Sequence, residues 1–249
     1  MLKTGICSVS FRSLSVDEVI KVVSESGLSA IEWGSDVHAP CGNIDNLKYI
    51  AKAQKAAGLV CSSYGTYYFV GINPTEQIRD YINAAKILGT NVLRLWCGKK
   101  NYTDMTEEER ETLIDECRRL AKIAEQEGAV LCMECHDNSF TNTADGAVYL
   151  MNSVNSKAFR MYWQANEKTV EDNIKFAKAI APFVENIHVF YYEDGTKRYL
   201  REGIEAWNSY LPLFDNDKFL LLEFIQNNDP KALCGEAKVL NELAKAHNS

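Results

Sequence analysis

The sequence predicts an α/β protein, a single-domain (β/α)8 barrel spanning residues 1–249. Three observations lead there: glycines recurring at a helix-plus-strand spacing, eight short apolar runs separated by amphipathic segments, and a length that suits one such barrel. Gly27, Gly58 and Gly89 each close an amphipathic stretch at 31-residue intervals, and Gly128 follows 39 residues later. A glycine just past a helix supplies the left-handed backbone that ends it. Helix, glycine and strand repeating at this length are the βα units of a parallel sheet.

Following that rhythm, the expected strands are residues 5–11, 30–34, 60–64, 92–97, 130–136, 160–164, 186–191 and 219–225. The segments between them carry apolar residues three and four apart. Val16, Val19, Ile20 and Val23 mark the first helix, Leu113, Cys117, Leu120 and Ala124 the fourth, and Leu233, Ala237, Leu240 and Ala244 the last. Asn73-Pro74 and Asp229-Pro230 place proline at a first helical position behind a capping side chain. No linker or low-complexity tract divides the chain. No G-x-G-x-x-G or P-loop follows the first strand, which favours the closed barrel over an open doubly wound sheet.

A net charge of −7 argues against a generic nucleic-acid binder, which would show a basic face. No run approaches the roughly 20 apolar residues of a membrane span. The first residues, Met1 to Gly5, enter a strand without a signal-peptide apolar region, so a cytoplasmic location is expected. The eight cysteines lie mostly in apolar strands or on helix faces and read as reduced packing residues. Cys132 and Cys135 have C-x-x-C spacing, but residues three apart on a strand face opposite ways. With no second such pair, a zinc ribbon is excluded as well.

Chemistry in a barrel of this kind belongs at the C-terminal ends of the strands. Four polar residues sit there in otherwise apolar runs: Glu134 on strand five, Gln164 on six, His188 on seven and Glu223 on eight. A bare carboxylate in such a run costs several kcal/mol unless it is paired, hydrogen-bonded or metal-bound. Two carboxylates, an imidazole and an amide oxygen converging at one level form a plausible donor set for a divalent cation. The competing structural reading is a buried ion pair, in which Arg94 on strand four neutralises Glu134.

The residues Ala30-Ile31-Glu32-Trp33 with the later His38, Met133-Glu134-Cys135-His136, Asn186-Ile187-His188-Val189, Leu222-Glu223-Phe224 and the segment from Arg201 to Trp207 resemble the xylose isomerase-like TIM barrels. That family includes sugar epimerases, ketose isomerases and the endonuclease IV group. In its epimerases two Glu, an Asp and a His hold a divalent metal, often manganese, and the two glutamates exchange a proton with the carbon beside the substrate carbonyl. The resemblance thus implies a sugar or sugar phosphate isomerase or epimerase. Glu134, Gln164, His188 and Glu223 would be ligands of a divalent ion (Mn, Mg, Co or Zn), with Glu134 and Glu223 doubling as the acid/base pair. Gln164 stands where the family has Asp, and Glu167 where members often carry His, and these departures touch both metal dependence and reaction.

Among secondary candidates, Glu32 and His38 could grip sugar hydroxyls, and His136 should point into the mouth beside Glu134. Arg201, with Lys197 and Arg198, could hold a phosphate or carboxylate, against the commoner reading of a solvated charge run. Two rival functions stand. An endonuclease IV-like phosphodiesterase needs more histidine than His38, His136, His188 and His247 supply. A catalytically altered sugar-binding barrel would carry Gln164 as its mark. The expected partner is a small-molecule sugar or sugar phosphate, not nucleic acid or membrane, with a homo-oligomer left open.

Overall fold

A computed structural model describes residues 1–215 and 217–248. Eight parallel strands close into one barrel: β1 (Lys3–Cys7), β2 (Ala30–Gly34), β3 (Val60–Val70), β4 (Val92–Cys97), β5 (Val130–Glu134), β6 (Phe159–Trp163), β7 (Val184–Val189) and β10 (Phe219–Leu222). Between β7 and β10, β8 (Tyr192–Glu193) and β9 (Thr196–Lys197) pair as an antiparallel hairpin. The helices that surround the barrel are α1 (Val16–Ser26), α2 (Ile44–Ala56), α3 (Ile78–Leu88), α4 (Glu107–Glu127), α5 (Ala144–Val154), α6 (Val170–Ile180), α7 (Ile204–Tyr210) and α8 (Leu233–His247).

The glycine rhythm is physically real: Gly27, Gly89 and Gly128 are left-handed caps at the ends of α1, α3 and α4. Ser15 and Thr106 open α1 and α4 with complete capping boxes, each satisfying amide donors that the first turn leaves free. Pro230 opens the 3-10 turn Pro230–Ala232 ahead of α8 behind the capping Asp229, as expected, whereas Pro74 stands outside the turn Thr75–Gln77 ahead of α3 and Asn73 accepts from Phe69 N–H instead of capping it. Several strands end sooner than their apolar runs suggest. Residues 8–11, 135–136, 190–191 and 223–225 turn out of the sheet into the loops of the mouth. The third strand is longer than expected because aromatic Tyr67, Tyr68 and Phe69, good strand formers, extend it past a register shift after Gly65.

Side-chain alternation sorts the strand residues into two cores. Cys7, Val92, Cys132, Tyr162 and Leu221 pack together in one small buried cluster, as the inward-facing set of a barrel does. Their neighbours Ile6, Leu93, Leu131, Met133, Met161, Ile187, Leu220 and Leu222 pack in the larger buried cluster beneath the helices. Cys132 and Cys135 fall in different clusters, and all eight cysteines are free thiols. No helix among the described residues is long and apolar enough to cross a membrane. At the N-terminal end of the barrel, the Leu2 N–H donates to Asn248 Oδ1 (2.6 Å) and Asn248 Nδ2 donates back to Leu2 O (3.1 Å), joining the two ends of the chain.

Gly5 on β1 lies so close to β2 that a Cβ there would stand 2.6 Å from the Ala30 carbonyl oxygen and 2.9 Å from Leu221. Gly235 in α8 has open space around it. Gly5→Ala should therefore cost about 1–3 kcal/mol of unfolding free energy by overpacking. Gly235→Ala should raise it by about 0.5–1 kcal/mol through helix propensity. Denaturant titration of the two variants beside wild type reads both signs.

Candidate functional site

Charge enters the barrel one level above the inner apolar cluster. β5 carries Glu134 two residues beyond Cys132, and β7 presents His188 from the barrel wall. β10 hands over to Glu223, whose N–H donates to the Val189 carbonyl at 3.0 Å and so keeps the barrel register for one more residue. Gln164 follows β6 directly. His188 Nδ1 lies 3.1 Å from Glu134 Oε1, 3.3 Å from Gln164 Oε1 and 3.3 Å from Glu223 Oε2. The Gln164 amide is not free to turn. Its Nε2 donates to the Cys135 carbonyl at 2.8 Å, which aims Oε1 at His188. The four residues singled out on strands five to eight thus meet at one point.

Two further charged residues complete the cluster. Arg94 on β4 is buried, with Nη1 3.4 Å from Glu134 Oε2 and Nε 3.8 Å from Glu32 Oε1. Glu32 on β2 has Oε1 3.3 Å from His188 Nε2, and its Oε2 accepts from Ser63 Oγ at 2.7 Å. Burial alone would raise the Glu134 carboxyl, yet Arg94 and His188 hold it down at about 2. Glu32 is likewise held low against burial by His188 and Arg94. Burial works against a charge on His188, but the Cys7 sulfur with the Glu223 and Glu32 carboxylates more than offsets it and raises its pKa.

The donor set suits a divalent cation. Glu134 Oε2 and Glu223 Oε2 are buried without a hydrogen-bond partner, as is His188 Nε2, which sits off the hydrogen-bond line to Glu32. The separations of the donor atoms from His188 Nδ1 are those of neighbouring ligands around one small ion. Three carboxylates here face one permanent cation, Arg94, so a doubly charged ion would neutralise the cluster with His188 and Gln164 neutral. Cys7, His188 and Glu223 also offer donor atoms within 4.8 Å of one another. Burial pushes the Cys7 thiol far up, which works against the thiolate that ligation needs, and the hard oxygens of Glu134 and Gln164 are the better companions of His188 and Glu223.

Above the cluster opens a cavity of about 660 Å3, whose walls include Tyr67, Trp96, Phe190, Tyr192 and Phe224. His136 lines it as expected. Its Nδ1 lies 2.7 Å from the Asp137 carbonyl, which can only accept, so the neutral ring carries its proton on Nδ1 and its lone pair on Nε2. Arg94 lies 4.5 Å from the centre of the Trp96 ring, and Tyr67 and His136 meet that ring edge-on at 5.0 and 5.7 Å. Arg12, which also lines the cavity, pairs with Asp36 at 2.6 Å and donates to the Tyr67 hydroxyl.

Three sequence expectations are corrected. Glu32 does not stand at the rim to grip a substrate: it is 2% exposed inside the charged cluster and does not line the cavity. His38 does not face the site either. Gly34 N–H donates to Ser8 Oγ at 2.9 Å, Ser8 Oγ bonds His38 Nδ1 at 3.2 Å, and His38 Nε2 reaches the Leu14 carbonyl at 3.0 Å, so both ring nitrogens are used in tying the β1 and β2 loops together. Arg201 lines a separate cavity beside Tyr199, Asp229 and Glu236. Sequence reading missed Arg12, Asn166 and Lys168, which also line the mouth, and the hairpin that brings in Tyr192, Asp194 and Gly195. The Asp194-Gly195 pair, both residues at positive φ, was a readable signal for that hairpin.

A closed parallel barrel with its polar cluster at the C-terminal strand ends has the architecture of the (β/α)8 enzymes. The chain belongs to the xylose isomerase-like TIM barrel family, whose sequence profile matches residues 20–243. It is similar to a 3-dehydroshikimate dehydratase from Bacillus anthracis, 22% identical over 96% of each chain. Among solved structures it is similar to a probable 3-DHS dehydratase involved in petrobactin synthesis, also from Bacillus anthracis, with a TM-score of 0.80 and 18% identity over 97% of this chain and 99% of that one. It is also similar to a D-psicose 3-epimerase from Clostridium cellulolyticum H10, with a TM-score of 0.73 and 14% identity over 98% of each. The relatives include a dehydratase and an epimerase.

Burial lowers the His38 pKa below its ordinary 6.5. The native state therefore favours the neutral ring, and the resulting stability is present above pH 6.5 and lost as pH falls toward the folded value. The stability gap between wild type and His38→Gln should narrow from about pH 8 to about pH 5. Thermal melts of the two proteins across that range measure it.

Proposed function

We propose that this chain is an enzyme that removes a proton from the carbon beside a carbonyl in a small polyhydroxylated substrate, isomerising or epimerising a sugar. The observation that carries this reading is the convergence of Glu134, Gln164, His188 and Glu223 on the floor of an aromatic-walled cavity. A divalent cation held by those four would polarise the substrate carbonyl and stabilise the charge that develops on its oxygen. The protein's own groups supply the rest. Arg94 keeps Glu134 ionised, which suits it to ligation more than to proton exchange. Glu223 reaches the cavity and is the favoured base. His136 presents its lone pair from the β5 wall, while Glu223 comes from β10, three strands away around the barrel. Groups on well-separated walls can take a proton from one face of the substrate and return it to another position. The aromatic walls shed water and offer flat surfaces to the apolar face of a sugar.

A second reading is favoured by the Bacillus anthracis relative, which this chain matches over 96% of both lengths. In it the same base takes the proton beside the carbonyl, the neighbouring C–O bond breaks, and the protonated hydroxyl leaves as water. Glu223 and His136 would divide the base and acid roles.

In D2O with Mn2+, the protein should place deuterium at the carbon beside the carbonyl of a ketose or of 3-dehydroshikimate, read by NMR. Glu223→Gln and His136→Asn should each slow the exchange about 10²–10⁴-fold. A new epimer or aldose supports isomerisation, whereas an aromatic product supports water loss. Sugar binding with no exchange on either substrate set would overturn the enzymatic reading in favour of a binding barrel.

A further inference from the structure

Glu32 is the one acid of the cluster that neither lines the cavity nor contacts Glu134, Gln164 or Glu223 in any ion pair or hydrogen bond. Its surroundings are built for a fixed position. Ser63 Oγ donates to Oε2 at 2.7 Å. Gly65 leaves the room it occupies: a Cβ there would stand 2.8 Å from Glu32 Oε1 and 3.2 Å from Arg94 Nη2. From that seat Oε1 reaches the far side of His188, 3.3 Å from Nε2 and opposite the nitrogen that meets Glu134, Gln164 and Glu223.

We infer that Glu32 is a positioning residue: its charge favours the proton on His188 Nε2, so that when a cation takes Nδ1 the lone pair there points at the cation-binding oxygens. The inference rests on the cation reading of the cluster given above. An imidazole has two neutral tautomers, and only one leaves Nδ1 free to ligate. A carboxylate 3.3 Å behind the ring, though off the hydrogen-bond line, favours that tautomer through its charge and makes the ligating nitrogen more basic. Glu32 also shares its Oε1 with Arg94 Nε at 3.8 Å, so the same acid keeps the guanidinium beside Glu134. The sequence reading placed Glu32 against the substrate, whereas its geometry has it act through His188.

Two measurements test this, and neither requires turnover. Isothermal titration with Mn2+ should show Glu32→Gln binding about 10–100-fold more weakly than wild type, and Ser63→Ala, which only loosens the seat, weakened to a lesser degree. If Glu32→Gln binds Mn2+ as tightly as wild type, the inference fails while the cation site stands. If wild type itself binds no Mn2+, the cation site fails and this inference with it. Should Glu32→Gln not fold, 15N NMR of the histidine rings in the Mg2+-loaded wild type decides alone. The His188 proton on Nε2 supports the assignment, and a proton on Nδ1 overturns it.

Discussion

The mouth of this barrel depends on one constraint: three carboxylates, those of Glu32, Glu134 and Glu223, stand where almost no water reaches them. Withdrawing an isolated carboxylate from water costs several kcal/mol even after relaxation, so each must have opposite charge or donors at hand. Arg94 answers for two of them, wedged between Glu32 and Glu134 and seated over the Trp96 ring. Glu223, among the described residues, is ion-paired to His188. The arrangement is lopsided, with the Arg94 charge on the side of β2, β4 and β5. That asymmetry, more than the count of acids, gives the site its direction.

Much of the architecture is legible in the residue order. Left-handed glycine caps and capping boxes are local features, fixed within a few residues, so the helix ends declare themselves. The acids and imidazole of strands five to eight are equally visible, because a charged residue in an apolar run has no bland explanation except a partner. Other features escape a linear reading because they depend on pairing across the barrel. Glu32 lies in a run that looks like any half-polar strand end, and only closure of the barrel, with β2 between β1 and β3, brings it behind His188. His38 looks like a substrate contact until the loops after β1 and β2 are folded against each other. Arg201 follows strand seven in sequence, yet the chain between them detours through a hairpin and carries it away from the mouth.

Family membership constrains the scaffold more than the reaction. Relatives with the same barrel include an epimerase and a dehydratase, and both kinds of chemistry can begin by loosening the same sort of C–H bond. What separates them is which group waits on the other side of the substrate. In this chain the upper wall is built from residues just past the strand ends, among them His136, Asn166, Lys168 and the hairpin, while the charged floor is tied to the sheet itself. Such a division lets the upper wall change without disturbing the lower one.

The two hydrogen bonds between Leu2 and Asn248 join the beginning and end of the described chain at the face of the barrel remote from the pocket. An affinity handle or a reporter protein appended at either terminus would hang from the base, clear of any molecule entering above. The same proximity makes a head-to-tail join geometrically cheap, so the polypeptide could be reopened in a helix-to-strand turn on that lower side while the pocket keeps every one of its walls.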